Sequence, residues 1–300
     1  MEYEVTPERR AYLDARGYTI LTACPGSGKT TSIVKKLRAV SHYCAENYGK
    51  YTGFACLSFT NKACAELKDK YRDMHDERLT FPNEVLTIDS FIMQYVVLPF
   101  WYLCEDCKKK PIVVNEQEIL ERIHFNYVFD KGKWNIYPVA SLMKFGKDQY
   151  DKVLYKKSPA LVSRIKNGFQ WKHNNVDAAK ECEYCEAVFK YRLGKGFITS
   201  SDALWMACDI LEHHQEVTRA LVARFPYIVV DEALDNSELH FEFFKLLKQA
   251  GLQNLEFVGD ICQSIYGFNS ARPELLQGMM VEGGGCIAYV GMQTLKPTHY

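Results

Sequence analysis

One stretch of this chain has the residue types and spacing to hold a phosphate chain: Ala23-Cys24-Pro25-Gly26-Ser27-Gly28-Lys29-Thr30, followed by Thr31. Gly26 and Gly28 lack a Cβ, so the backbone can wrap closely around an anion. An apolar run precedes the loop and a helical pattern follows it. Successive N–H groups and the helix N-terminus would then converge on the phosphates. In this pattern, known as the P-loop, Lys29 reaches the β- and γ-phosphates and the Thr30 hydroxyl ligates Mg²⁺. Residues Ala23 to Thr31 form the expected nucleotide-binding set. The bland alternative is a Gly-rich turn ahead of an ordinary helix, and the full strand–loop–helix spacing speaks against it.

A second constellation is Tyr227-Ile-Val-Val-Asp231-Glu232, an apolar strand that ends in two carboxylates. Adjacent side chains point in different directions, so the two can divide the work. Asp231 is expected to hold Mg²⁺ through water, and Glu232 to orient and deprotonate an attacking water. A helix N-cap followed by a first-turn acid would look the same in isolation. The P-loop elsewhere in the chain favours the catalytic reading.

These groups need a scaffold. Tyr18 to Ala23, Phe54 to Phe59, Tyr227 to Asp231 and Leu255 to Gly259 read as short buried strands, with Glu84 to Ile88 as a fifth. Helical patterns tend to follow them, which is the alternation of a parallel sheet flanked by helices. Ligands bind such sheets beyond the carboxyl ends of the strands. The expected fold is α/β, a P-loop NTPase. Residues 92–198 interrupt the series with helical patterns such as Asn115–Val128, Ser158–Gly168 and Asp177–Arg192, and read as a mostly helical insertion domain. Residues 1–91 and 199–300 then form one discontinuous ATP-binding domain.

Composition bounds the setting. Lys plus Arg and Asp plus Glu both number 37, so any nucleic-acid partner would be held by local patches and stacking rather than by a global field. No apolar run reaches the roughly 18 residues of a membrane span, and the acidic start shows no signal peptide. A cytoplasmic protein without membrane contact is expected. Eleven cysteines in a reducing compartment are thiols or metal ligands. Cys104-Glu-Asp-Cys107 and Cys182-Glu-Tyr-Cys185 have the internal spacing for a structural Zn²⁺ or, less readily, an iron–sulfur cluster. The gap of about 75 residues between the pairs favours four unligated thiols. Cys24, inside the loop at a helix N-terminus, is a candidate reactive thiol.

Further motifs narrow the reading. Leu57-Ser-Phe59-Thr60-Asn61-Lys62-Ala63, with Glu66-Leu67 beyond it, resembles the second motif of the UvrD/Rep/PcrA-like superfamily 1 DNA helicases. Thr87-Ile-Asp-Ser90-Phe91 resembles their next motif, Val230-Asp-Glu-Ala-Leu-Asp235 their Walker B box, and Val258-Gly-Asp260-Ile-Cys-Gln263-Ser264-Ile-Tyr266-Gly-Phe268 their third motif. The resemblance covers residues 20–91 and 225–271. It implies a first RecA-like domain, split by an inserted helical subdomain, that uses ATP and Mg²⁺ to move 3′→5′ on single-stranded DNA. By the same resemblance Gln263 senses the γ-phosphate and Asp260 helps organise the magnesium–water network. Phe59, Tyr266 and Phe268 meet the bases, while Thr60, Asn61 and Lys62 lie near the DNA backbone. Stacking of this kind contributes about 1–3 kcal/mol per base without reading sequence, which suits a motor. Core packing is the alternative for Phe59, which closes an apolar strand.

The sequence departs from the family in three places. Leu234 stands where the family's box has Gln, so coupling of hydrolysis to DNA is expected to weaken. Arg9 stands where a Gln that reads adenine is expected, and Arg only donates. The chain stops at what looks like the start of the fourth motif, Leu295-Lys-Pro-Thr-His-Tyr300. The second RecA-like domain, with arginines that in P-loop NTPases contribute on the order of 10³–10⁵ in rate, would come from a longer chain or another subunit. A nucleotide-binding switch or degenerate subunit without turnover of its own is the alternative.

Overall fold

A computed structural model describes residues 6–22, 26–105, 107–114, 126–128, 134–136, 191, 193–233, 236–259 and 287–290. Helix α1 (Pro7–Asp14) starts where Thr6 Oγ1 accepts the Arg9 N–H and Pro7 presets the first turn. Strand β1 (Tyr18–Thr22), helix α2 (Lys29–Tyr48), strand β2 (Phe54–Ser58), helix α3 (Asn61–His75), strand β3 (Glu84–Thr87) and helix α4 (Ile88–Ile92) follow. Next come strands β4 (Ile112–Val113), β5 (Asn126–Val128), β6 (Trp134–Ile136) and β7 (Phe197–Ile198), then helix α5 (Ser200–His213). Helix α6 (Gln215–Arg224), strand β8 (Tyr227–Val230), helix α7 (Glu238–Gln249) and strands β9 (Asn254–Gly259) and β10 (Ile287–Val290) complete the order.

The chain divides into two compact units, residues 1–91 with 214–300, and residues 92–213. The first is an α/β unit. Its sheet runs β10-β1-β9-β8-β2-β3, and every neighbouring pair is parallel. The register aligns Thr22 with Gly259 and Leu57 with Val230, so the carboxyl ends of β1, β9, β8 and β2 share one edge.

Side chains alternate across this sheet. One face carries Cys56, Tyr227, Val229 and Val258 in a core with Tyr12 of α1, Ile33, Val34, Leu37 and Val40 of α2, and Leu67 and Tyr71 of α3. On the other face Phe257 meets Phe241 and Phe244 of α7, with ring centroids 5.9 and 5.6 Å apart. Helices therefore cover both faces, as a parallel sheet requires. Gly53 marks a close approach at the start of β2: a Cβ there would lie 2.4 Å from the Pro82 carbonyl oxygen.

Sequence periodicity missed β10, because a four-residue apolar run is ambiguous on its own and is resolved only by pairing with β1.

In the second unit, β4 pairs parallel with β7, and β5 pairs antiparallel with β6. The helical expectation for Asn115–Val128 is corrected at its end. Asn126–Val128 is a strand, with Tyr127 opposite Asn135 and Val128 opposite Trp134; aromatic and β-branched residues suit such a ladder. Residues 115–125, 158–168, 177–190 and 192 of the expected helical patterns lie outside the described residues. Helix α5 is set by a reciprocal cap, in which the Thr199 N–H donates to Asp202 Oδ2 at 2.7 Å and the Asp202 N–H to Thr199 Oγ1 at 3.2 Å. It packs against the π-helical turn Met93–Val97. The second unit takes in residues 199–213, which the sequence reading places in the ATP-binding domain. Among the described residues no helix is long and apolar enough to cross a membrane.

Candidate functional site

The candidate site lies at the shared carboxyl edge of the sheet. The loop after β1 enters α2 through Gly26 (φ +75°) and Gly28 (φ +88°), both left-handed conformations that favour glycine. Gly28 is the N-cap of α2 and supplies no side-chain cap, and no acid lies in the first turn. No acid of the first turn therefore offsets the positive end of the helix. The Gly28 carbonyl accepts the Ser32 N–H and hydroxyl at 2.9 and 3.1 Å, which fixes the first turn. Lys29, Thr30 and Thr31 are half-buried there. Ala23, Cys24 and Pro25 lie outside the described residues.

Ser27 is buried, and its Oγ has no hydrogen-bond partner among the described residues. A Cβ built on Gly26 would meet nothing within 4 Å. An orphaned hydroxyl, an open backbone cradle, an uncapped helix N-terminus and a lysine make up the donor set a triphosphate needs. Thr30 and Asp231 offer the oxygen donors that suit Mg²⁺.

Asp231 and Glu232 follow β8 on the same edge. The Asp231 N–H donates to the Leu57 carbonyl at 2.8 Å, extending the β2 ladder by one residue. Burial pushes the Asp231 carboxyl up to about 6, although the Glu232 N–H donates to its Oδ1 at 3.0 Å and favours the ionised form. The Glu232 charge raises it further, and the Lys29 charge pulls it down. Lys29 and Asp231 therefore sense each other's charge. Glu232 is exposed and holds φ +56°, a left-handed conformation rare outside glycine that costs on the order of 1–3 kcal/mol. Leu234 and Asp235 lie outside the described residues.

Phe59 follows β2 on this edge and is partly exposed; its ring meets His240 of α7 edge-on, with centroids 5.7 Å apart. Thr60 caps α3, its Oγ1 accepting the Ala63 N–H at 3.1 Å, and Asn61 and Lys62 are exposed in the first turn. Thr87 caps α4 in the same way, accepting the Ser90 N–H at 3.1 Å. Asp260, Gln263, Tyr266 and Phe268 lie outside the described residues.

Two residues acquire roles that motif reading missed. Arg9 donates from Nη2 to the Ser27 carbonyl at 2.9 Å and so braces the glycine loop from α1. His240 links Phe59 to the N-terminus of α7. The signal for Arg9 was its charge just upstream of an anion loop. A histidine on an apolar helix face gave no signal of its own.

The cysteine pairs gain no support as a zinc site. Cys104 and Cys107 are buried, and the Cys107 thiol donates to the Lys109 carbonyl at 3.2 Å. Burial raises the Cys107 pKa. Among the described residues no three His, Cys, Asp or Glu side chains gather as metal ligands. Cys182 and Cys185 lie outside them.

Comparison with known proteins matches residues 5–281 to the UvrD/REP helicase N-terminal domain. A probable DNA helicase II homolog of Mycoplasma pneumoniae is 22% identical over 275 residues, 91% of this chain and 37% of that protein. The ATP-dependent DNA helicase Rep of Buchnera aphidicola subsp. Schizaphis graminum is 26% identical over 87% of this chain and 37% of its own length. The putative ATP-dependent DNA helicase YjcD of Bacillus subtilis is 24% identical over 98% of this chain and 36% of its own length. The chain spans little more than a third of each of these relatives.

Proposed function

This chain belongs to the UvrD/REP helicase N-terminal domain family, and from that premise we propose that it is the ATP-binding motor domain of a DNA helicase moving 3′→5′ on single-stranded DNA. The observation that carries the reading is the meeting of two loops at one sheet edge. Lys29 opens α2 directly after the glycine loop that follows β1, and Asp231 and Glu232 follow β8 at the same carboxyl edge of the sheet.

In this reading the loop from Ala23 to Thr31 holds the triphosphate, with backbone N–H groups and Lys29 facing its negative oxygens. Thr30 and Asp231 hold Mg²⁺, which when bound neutralises charge across the phosphate chain. A cation beside Asp231 favours its ionised form and offsets the burial that raises its pKa. Glu232, exposed beside it, orients a water and accepts its proton. Gln263 and Asp260 join from the segment after β9. Phe59, Tyr266 and Phe268 stack on bases, and Thr60, Asn61 and Lys62 line the phosphate path. Such contacts tolerate any sequence. A second RecA-like domain, from a longer chain or another subunit, supplies arginines and the closing motion that steps along DNA.

The test is ATP hydrolysis with and without oligothymidylate, beside nucleotide binding, in the wild type, Lys29→Ala and Glu232→Gln. Turnover that DNA stimulates, lost in both variants while Glu232→Gln still binds nucleotide, supports the motor. Nucleotide binding with no turnover above the variants selects the nucleotide-switch reading for this chain. Absence of nucleotide binding refutes both.

A further inference from the structure

His240 occupies the first turn of α7, three residues beyond the N-cap Ser237. Its Nδ1 accepts the Ser237 N–H at 3.1 Å and lies 3.0 Å from Ser237 Oγ, while that Oγ accepts the His240 N–H at 3.4 Å. An accepting Nδ1 assigns the ring proton to Nε2. The opposite side of the function is steric: the imidazole meets the Phe59 ring at 74°. Burial holds the imidazole neutral, against the pull of the Asp89 carboxylate on α4. Asn236 Nδ2 donates to the Ala233 carbonyl at 3.0 Å, and Ala233 is the residue after Glu232. One planar side chain therefore separates Phe59 from the turn that carries Glu232.

We propose that His240 is a positioning residue that couples a single-stranded DNA base at Phe59 to the conformation of the Glu232 loop. The proposal rests on the reading in which Phe59 meets DNA and Glu232 serves hydrolysis. A base stacked on Phe59 fixes that ring, and the ring edge fixes the imidazole. The imidazole acceptor fixes Ser237, and the neighbouring Asn236 holds the carbonyl of Ala233, the residue after Glu232. Histidine supplies both halves of the link, an aromatic edge toward Phe59 and an acceptor toward the helix cap. Asparagine keeps an acceptor without the ring, and phenylalanine keeps the ring without the acceptor. Neither transmits.

The test measures the affinity of the full chain for oligothymidylate with and without a non-hydrolysable ATP analogue and Mg²⁺, in the wild type, His240→Asn and His240→Phe. Coupling between two such sites is typically about 5–150-fold and must be reciprocal. The wild type is expected to show a shift in that range. Each variant is expected to bring it to about one while keeping both separate affinities within about threefold, a pattern that mere loosening of the fold does not produce. A shift retained in both variants overturns the proposal, as does loss of one ligand's affinity in both. A wild type that binds both ligands without coupling overturns the proposal alone. A wild type that binds no oligothymidylate overturns the underlying reading and this proposal with it.

Discussion

Lys36 Nζ lies 2.8 Å from Glu256 Oε2, and both side chains are sealed from water against the sheet. The Tyr227 hydroxyl donates to the same oxygen at 2.9 Å, and the Lys36 ammonium sits over the Tyr12 ring, 4.3 Å from its centroid. Burial lowers the Lys36 pKa while Glu256 raises it, and burial raises those of both tyrosines. The pair joins the helix that begins at Lys29 to the strand that ends at Gly259. Removing one partner strands a buried charge, so Lys36→Met is expected to lower unfolding free energy by about 3–5 kcal/mol. The double variant Lys36→Met/Glu256→Leu should recover most of that loss. Urea titration of the two variants checks this, and a double variant less stable than the single one contradicts it.

Arg9 braces the Ser27 carbonyl, a contact to the loop and not to a base. Losing a hydrogen bond from a charged donor typically costs about 1.5–3 kcal/mol. Arg9→Ala is therefore expected to weaken nucleotide binding on the order of tenfold, by the same factor for adenine and guanine nucleotides. Titration with fluorescent ADP and GDP analogues measures both. A loss confined to one base would assign Arg9 to base recognition instead.

His240 makes stability depend on pH. Its folded pKa is lowered from 6.5 to about 4, mainly by burial. Between these values the unfolded chain binds the proton and the folded chain does not. The stabilisation is complete above the unfolded pKa and is lost as pH falls toward the folded one. The loss is on the order of 1–3 kcal/mol, since the residue is half-buried rather than sealed. Thermal melts from pH 7.5 to 4.5 should show a steeper decline for the wild type than for His240→Asn. Parallel curves would remove His240 as the source.

The α/β class was legible because buried parallel strands announce themselves as apolar runs, and β1, β2, β3, β8 and β9 all did. The glycine loop was legible because its requirements are local: left-handed φ at Gly26 and Gly28 and a helix start at Lys29 are properties of consecutive residues. The same holds for the carboxylates that end β8. Arg9 stands where the family has a Gln that reads adenine, and its guanidinium turns to a carbonyl 18 residues away.

Glu256 and Lys36 belong to none of the sequence motifs. That the two are each other's partner across 220 residues follows only from the strand order, which sets β9 beside β1 and under α2. The link from Phe59 to His240 has the same origin, since it joins the ends of elements that only the sheet brings together. Local chemistry is written in spacing along the chain, because φ, helix starts and strand alternation depend on near neighbours. Which charge meets which, and which ring touches which, depends on long-range packing. For this protein the sequence alone determined the loop, the carboxylates and the sheet class; the tertiary structure decided what braces them and what connects them.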